Sequence, residues 1–389
     1  MRETLKNAGS SCLITSSFDA SLTSEAAAGC LDRLGVSPDL VILFVSSDYR
    51  PYLRQLTESV QIDGHANRIV GASAEGLYGV NLEHENASGV SMLFLKTPNT
   101  AISIESRSPG KPSSSPLDNK SVHASHLLFG NPLRTNLQSE LKRINTDFPD
   151  SPTVGGLIRG GPHEEDLFLF NQDGILDEDA LVIGFHGEVA MQPLVSQGCR
   201  PIGNPFVVTG ALENEIFTIG RRDALSVLEE TFASLNGVDR MSALGNIFAG
   251  LAITEAVEEF ETGNFLIRSI VDADLEEGRI VLDSPVRVGQ TLQFQLRDSD
   301  SASASLKRTC ERAKTKVGGA FASLLFGGHR RGRFLFDCAN HDAEIFYNTF
   351  GELPLSGCFT HGEIGPVAGR NFRHDQSLCA AVFCHPDLD

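Results

Sequence analysis

Gly71-Ala72-Ser73-Ala74-Glu75-Gly76, Gly155-Gly156-Leu157-Ile158-Arg159-Gly160 and Gly357-Cys358-Phe359-Thr360-His361-Gly362 share one pattern, two glycines with four residues between them. Upstream of each lies an apolar run ending in Leu-Phe: Val41-Ile42-Leu43-Phe44, Leu127-Leu128-Phe129 and Leu324-Leu325-Phe326. The Phe-to-Gly separations are 27, 26 and 31 residues. A second apolar run comes later in each case, at Val90–Leu95, Ala180–Phe185 and Leu378–Phe383. This is an internal repeat, and its period places a helix between the Phe and the first Gly.

The helices are legible from their apolar stripes. Leu53, Leu56 and Val60 fall at helical spacing in the first unit, and Leu133, Leu137, Leu141 and Ile144 do so in the second. The third helix is expected to start at the Asn340-His341-Asp342 cap and to bury Ile345, Phe346 and Phe350. Each unit thus reads strand, helix, strand, Gly-rich turn, strand. The fold class is α+β, with pseudo-symmetric units forming mixed sheets covered by helices. A single unit cannot cover its own sheet, so the first two are expected to pack as a pseudo-symmetric pair.

At 389 residues, two or three domains are expected, and the linker signals favour two. Residues 1–35 read as an extension with a first helix, 36–218 as one domain with repeats at 36–105 and 122–218, and 219–389 as a second. The Ser/Pro-rich stretch 106–121 reads as an exposed linker, and Asp298 to Ser305 as another polar stretch. Before the third unit, Arg221–Leu235 reads as a helix, and Phe265–Ile270, Arg279–Leu282 and Thr291–Leu296 alternate like strands.

Charge and composition narrow the partners. A net charge of −18 argues against nucleic acid and against an anionic membrane surface. No apolar run approaches the ~20 residues of a membrane span, and the N-terminus lacks the apolar core of a secretory signal. A cytoplasmic protein is the expectation. The eight cysteines form no C-x2-C pair and read as reduced thiols, mostly in apolar surroundings.

The run Pro354 to Phe372 (PLSGCFTHGEIGPVAGRNF) resembles the closing motif of the FIST C domain, and Phe326 to Gly332 (FGGHRRG) is similar to the family's Phe-x-Cys-x-x-Arg-Gly segment. Residues 40–95 look like the FIST N domain, so the resemblance covers about residues 40–385. Gly328 stands where the family often carries Cys, and any role of that thiol is absent here. The resemblance implies a sensory module for small ligands such as amino acids or their derivatives. Bacterial relatives fuse it to signalling domains and eukaryotic ones to an F-box. With no room for a kinase or cyclase, this chain reads as a free-standing copy whose output lies in a separate signalling protein.

The candidate site residues follow from the turns. Glu75, Arg159 and His361 each precede the second glycine, so the repeats set unlike charges at equivalent points. Where the turns converge, Arg suits a carboxylate and Glu an ammonium, as in a zwitterionic ligand; where they do not, each is a solvated loop charge. The glycines themselves either turn the chain or let backbone approach a ligand or another backbone closely. Gly357, Thr360, His361, Gly362, Glu363, Arg370 and Asn371 form the densest polar cluster. It reads as ligand-binding, as a pin in which Glu363 pairs with Arg370, or as an acid–base pair of His361 and Glu363. Arg331, within Arg330-Arg331-Gly332-Arg333, would hold an anion or pair with acidic surface.

No P-loop, G-x-S-x-G or H-E-x2-H motif is present, and no metal, cofactor or catalytic residue is expected. The alternatives to a sensor are a hydrolase using His361, Glu363 and the nearby Cys358, and a protein-interaction scaffold. The ligand, the partner and the oligomeric state are not encoded in any motif.

Overall fold

A computed structural model describes residues 6–108, 124–254 and 265–385. Most of the 106–121 linker and the acidic Glu258-Glu259 pair lie outside the described residues. The chain divides into two compact units, one of Met1–Val195 with Lys307–Asp389 and one of Ser196–Leu306. The break near 218 expected from sequence thus falls inside the second unit, as do residues 196–218 of the expected second repeat, while the parallel strand pairs of all three repeats lie in the first.

The strands of the first unit, in chain order, are β1 (Ala8–Ile14), β2 (Leu40–Val45), β3 (Ile69–Ser73), β4 (Gly76–Gly79), β5 (Leu82–Glu85), β6 (Val90–Lys96), β7 (Thr100–Arg107), β8 (Ala124–Gly130), β9 (Thr153–Leu157), β10 (Leu169–Asn171), β11 (Gly174–Ile175), β12 (Ala180–Gly187) and β13 (Ala190–Ser196). The second unit contributes β14 (Cys199–Pro201), β15 (Phe206–Leu212), β16 (Glu215–Ile219), β17 (Arg222–Asp223), β18 (Ile247–Ala252), β19 (Phe265–Asp274), β20 (Arg279–Leu282) and β21 (Thr291–Arg297). The third repeat returns with β22 (Ala320–Gly328), β23 (Leu355–Thr360), β24 (Glu363–Val367), β25 (Arg370–His374) and β26 (Leu378–Cys384).

Three six-stranded sheets make up the first unit, ordered β1-β6-β2-β3-β10-β11, β7-β12-β8-β9-β24-β25 and β13-β26-β22-β23-β4-β5. Each has the same plan. A parallel pair (β2/β3, β8/β9, β22/β23) forms the centre, flanked by an antiparallel strand of the same repeat. The hairpin after the second glycine then leaves its own sheet: β4-β5 joins the sheet of the third repeat, β10-β11 that of the first, and β24-β25 that of the second. The exchange is cyclic, so the repeats form a closed ring of three rather than a pair.

The core follows from this closure. Strands β2 and β3 are buried along their whole length, as parallel strands covered on both faces must be. Leu40, Ile42 and Phe44 face inward with Leu127, Phe129, Leu324 and Phe326, while Val41, Leu43 and Val45 face outward under helices. At the centre Phe44, Phe129 and Phe326, the Phe of each Leu-Phe, touch pairwise with ring centroids 5.4, 5.8 and 5.8 Å apart. The outer layer includes α1 (Ala20–Leu34), α2 (Leu53–Ile62) and α3 (Leu137–Asp147). Asp19 caps α1 through the N–H groups of Ser21 and Leu22, and Gly35 ends it at φ 73°. Asn136 caps α3 through the Ser139 N–H. Leu133 precedes α3 and is exposed, so the stripe there starts at Leu137.

The first glycine of each pattern is not in a turn. Leu43 pairs with Gly71, Leu128 with Gly155 and Leu325 with Gly357, all mid-strand. A Cβ on Gly155 or Gly357 would lie 2.0 Å from the facing leucine carbonyl oxygen, at φ 153°. Close backbone approach between strands is therefore the reason for glycine here.

In the second unit, α4 (Ala224–Ser234) and α5 (Gly237–Ala243) accompany an antiparallel sheet. Strands β21, β15, β16, β20, β19 and β18 pair in succession, and β18 pairs β21 to close the ring. This is a six-stranded barrel filled by Val208, Ile216, Leu251, Ile280, Leu292 and Phe294. The polar stretch from Asp298 is not a linker. It opens α6 (Ser299–Lys314), with Asp298 accepting from the Ser301 N–H, and α6 leads back to the first unit. Two helices, α7 (Arg333–Phe336) and α8 (His341–Phe350), complete the third repeat.

Candidate functional site

Because each chain segment crosses to the next sheet at its second glycine, the residue before that glycine sits at the crossing. Glu75 and Arg159 are thereby brought together, and the Arg159 guanidinium forms an ion pair with the Glu75 carboxylate. His361 lies beside them: its N–H donates to the Leu157 carbonyl at 2.8 Å, while the Leu157 N–H donates to the Gly362 carbonyl at 2.9 Å. Its ring stacks on His329, with centroids 5.2 Å apart. A cavity of about 30 Å³ opens here, lined by Glu75, Gly76, Glu85, Asn86, Arg159, His329 and Phe359. Phe359 in turn stacks on Tyr78 at 4.6 Å.

Burial, then the charge of Arg159, pushes His329 down to about 4, and the same two causes lower His361. Both imidazoles are neutral at pH 7. Burial raises Glu85, although both its oxygens accept from the Arg333 N–H at 3.1 and 3.2 Å. The junction therefore presents one guanidinium, two carboxylates and two neutral rings.

The remaining residues expected from sequence lie elsewhere or are spent on structure. Arg331 is fully buried, and its fork grips Asp342 at 2.6 and 2.8 Å. Glu83, on β5, accepts from the Asp342 and Ala343 N–H groups at 2.7 and 2.9 Å and so caps α8. The expected Asn340 cap is not made; Asn340 accepts from the Glu83 N–H instead. Burial, then Asp342, pushes Glu83 up to about 8.

Glu363 is buried and does not pair with Arg370. It accepts from the Ser377 N–H at 2.6 Å and the Thr360 hydroxyl at 3.1 Å, and burial drives it up to about 8. His361 is more open to solvent than the fully buried Glu363, whose oxygens are taken by Ser377 and Thr360, and no hydrogen bond joins the two. Cys358 is likewise buried, and burial alone pushes its thiol far up. Arg370 is exposed beside the β24–β25 hairpin turn. The Asn371 side chain is used by the Thr153 N–H, Asn145 Oδ1 and the Ser151 carbonyl, pinning β25 to β9 and α3. Gly357 lies in the buried strand, and Gly362 stands at the crossing with φ 123°.

Sequence reasoning missed His329, Glu85 and Asn86. His329 is visible in the FGGHRRG run, but its place beside His361 depends on the parallel pairing of β22 with β23. Glu85 and Asn86 arrive on the exchanged hairpin, which no local signal marks. A separate groove of about 320 Å³ is lined by Arg68, Ile69, Val70, Ile102, Asn171 and Gln172 and holds none of the expected residues. Among the described residues, no three His, Cys, Asp or Glu side chains are grouped to hold a metal. No described helix is long and apolar enough to cross a membrane.

Comparison with known proteins places these features in a family. Residues 39–222 match the FIST N domain and residues 224–366 the FIST C domain. The chain is 31% identical over 364 residues to an uncharacterized protein of Mycobacterium tuberculosis, covering 92% of this chain and 95% of the relative. An uncharacterized protein of Mycobacterium bovis is 38% identical over 259 residues, covering 66% and 67%. An F-box/LRR-repeat protein of Arabidopsis thaliana is similar over 103 residues at 32% identity, 24% of this chain and 19% of that protein.

Proposed function

This chain belongs to the FIST family, and we propose that it is a sensory module that takes a small zwitterion, an amino acid or a close derivative, at the crossing of its three repeats. The observation that carries the reading is the Arg159–Glu75 pair beside Glu85 in a small cavity. A cavity of about 30 Å³ admits a water molecule, not an amino acid. Binding therefore works by exchange: the ligand carboxylate takes the Arg159 fork, and its ammonium takes Glu75 and Glu85. The pair is partly exposed, with side chains 26% and 34% accessible, so opening it is cheap.

The ring of exchanged hairpins supplies the output. Glu75, Arg159 and His361 come from different repeats, so a ligand that separates the pair shifts how the hairpins seat. A separate signalling protein in the cytoplasm reads that shift. Thermal shift of the purified chain against free amino acids, their N-acetyl and amide forms, and small carboxylates tests the proposal. A zwitterion that raises Tm at millimolar concentration, with both blocked forms inactive, is expected. Arg159→Gln and Glu75→Gln should each abolish the shift. No stabilisation by any zwitterion, or equal response in both variants, overturns it.

A further inference from the structure

Cys12 and Cys30 occupy facing positions on different elements. Cys12 is on β1 and partly exposed, and Cys30 is on the inner face of α1 and fully buried, in the same stripe as Thr23, Ala27 and Leu34. Both pack into the apolar layer between α1 and the first sheet. Each thiol is the neighbour that most affects the other's ionisation. A third residue completes the arrangement. Arg33, one turn after Cys30, donates from Nη2 to the Cys30 sulfur at 3.2 Å and to the Ser11 carbonyl at 3.0 Å, and from Nε to the Ser10 hydroxyl at 3.2 Å. The guanidinium is thus fixed to β1 while touching the sulfur on α1.

We propose that Cys12 and Cys30 are a dithiol modification site that a hydroperoxide closes to an intramolecular disulfide, tying β1 to α1. Several features agree. The hydrogen bond from Cys12, then Ser10 and Arg33, outweigh burial and bring Cys30 down to about 7, while Cys12 is held well up. Ionisation of the pair therefore favours Cys30, whose sulfur accepts from the Arg33 guanidinium, over Cys12. Cys358, on which burial alone acts, is pushed up.

The chemistry balances with hydrogen peroxide as the oxidant. The Cys30 thiolate attacks one peroxide oxygen, the O–O bond breaks, and the departing hydroxide takes a proton from solvent to leave as water. Cys30 is then a sulfenic acid. The Cys12 sulfur attacks the Cys30 sulfur, the S–O bond breaks, the S–S bond forms, and hydroxide leaves as water with the Cys12 proton. Two thiols and one peroxide yield one disulfide and two waters. Partial exposure of Cys12 is the route by which an oxidant as small as hydrogen peroxide enters.

The experiment treats the full chain with hydrogen peroxide under native conditions and maps it without reduction. The expected result is a mass loss of about 2 Da carried by a Cys12–Cys30 linked peptide, reversed by dithiothreitol. Cys12→Ser should give no link and should leave a dimedone-reactive sulfenic acid on Cys30. Arg33→Met should slow linking about tenfold, and Arg33→Lys should restore part of the rate. A Cys338→Ser background removes the exposed thiol without touching the pair. Both cysteines recovered as thiols, or Cys30 recovered as unlinked sulfinic acid in the otherwise unaltered chain, overturns the proposal.

Discussion

Arg159 and Glu75 stand at equivalent points of two repeats, 84 residues apart in sequence, and form one ion pair. Equivalence and contact coexist because the hairpins are exchanged around a pseudo-threefold centre. Without exchange each turn would close on its own sheet, and like positions would sit far apart. The pair lies partly in solvent, so its own contribution to stability is small, about 0–1 kcal/mol. Glu75→Gln should therefore change the urea midpoint little. A loss well beyond that range would make the pair a structural clamp and remove the ease of opening that ligand exchange requires.

The Arg331–Asp342 pair predicts the opposite behaviour. Both side chains are fully buried, with a bidentate contact at 2.6 and 2.8 Å. Burial raises Asp342, but Arg331 wins and holds it down at about 2. Arg331→Met strands that charge beside Glu83 and should cost about 3–5 kcal/mol. The double variant Arg331→Met, Asp342→Leu should recover most of the loss. Urea unfolding of the single and double variants checks this. A single variant as stable as the parent chain would show that the pair contributes nothing.

The phenylalanine triangle should be non-additive. Phe44, Phe129 and Phe326 each touch the other two. Each Phe→Ala change should cost about 3–5 kcal/mol. Because the three share one space, the first truncation lets the others relax. Double variants should therefore lose at least about 0.5 kcal/mol less than the sum of singles. Strict additivity would mean that the rings touch without coupling.

Legibility in the sequence followed burial. The Leu-Phe runs announced themselves because parallel strands covered on both faces need unbroken apolar residues, and the helices of all three repeats followed from period and position. The glycine pattern points correctly to close backbone approach and wrongly to a turn. Gly155 and Gly357 look like turn residues, yet they sit mid-strand against the carbonyls of Leu128 and Leu325. Which sheet a hairpin joins depends on contacts hundreds of residues apart, such as Leu77 with Cys358, and no local propensity encodes it. The barrel of the second unit was hidden likewise, since alternation shows strands but not the β18–β21 pairing that closes them. Of the site, Glu75, Arg159 and His361 were visible from their shared offset. Glu363, Asn371 and Arg331 looked equally chemical, and only burial separates a polar side chain spent on structure from one open to a ligand.

The strand glycines yield a sharper test. Gly357→Ala puts a Cβ 2.0 Å from the Leu325 carbonyl oxygen, at a φ that L-residues rarely adopt. Backbone, not a movable side chain, is in the way, so β22 and β23 must separate. The loss should exceed about 4 kcal/mol, which is exceptional for one methyl group. Gly351→Ala, with φ 74° and open space around it, should cost only about 1 kcal/mol. Comparable Tm losses in the two would contradict the close-approach account.

Buried Glu363 sets the pH dependence. Its folded-state value, about 8, lies above the unfolded one near 4.5. Between those values the folded chain holds a proton that the unfolded chain has released, so the stability linked to this group is full below pH 4.5 and falls as pH rises toward 8. The slope in that window is at most ~1.4 kcal/mol per pH unit for each such group. Glu83 shares the sign, its value also being raised to about 8. His126 and His329 act oppositely. Each is brought down to about 4, burial being the first cause, so they add stability as pH rises from 4 to 6.5. Above pH 6.5 that offset ends; Glu363 and Glu83 then lower stability as pH rises, opposed above about 7 by the lowered Cys30 thiol. Glu363→Gln resembles the protonated form and should flatten this limb, its advantage over the parent chain growing with pH. Urea midpoints of both proteins at pH 6, 7 and 8 measure it. Parallel profiles would mean that Glu363 is already ionised in the folded chain, with the Ser377 N–H and the Thr360 hydroxyl sufficient to hold its charge.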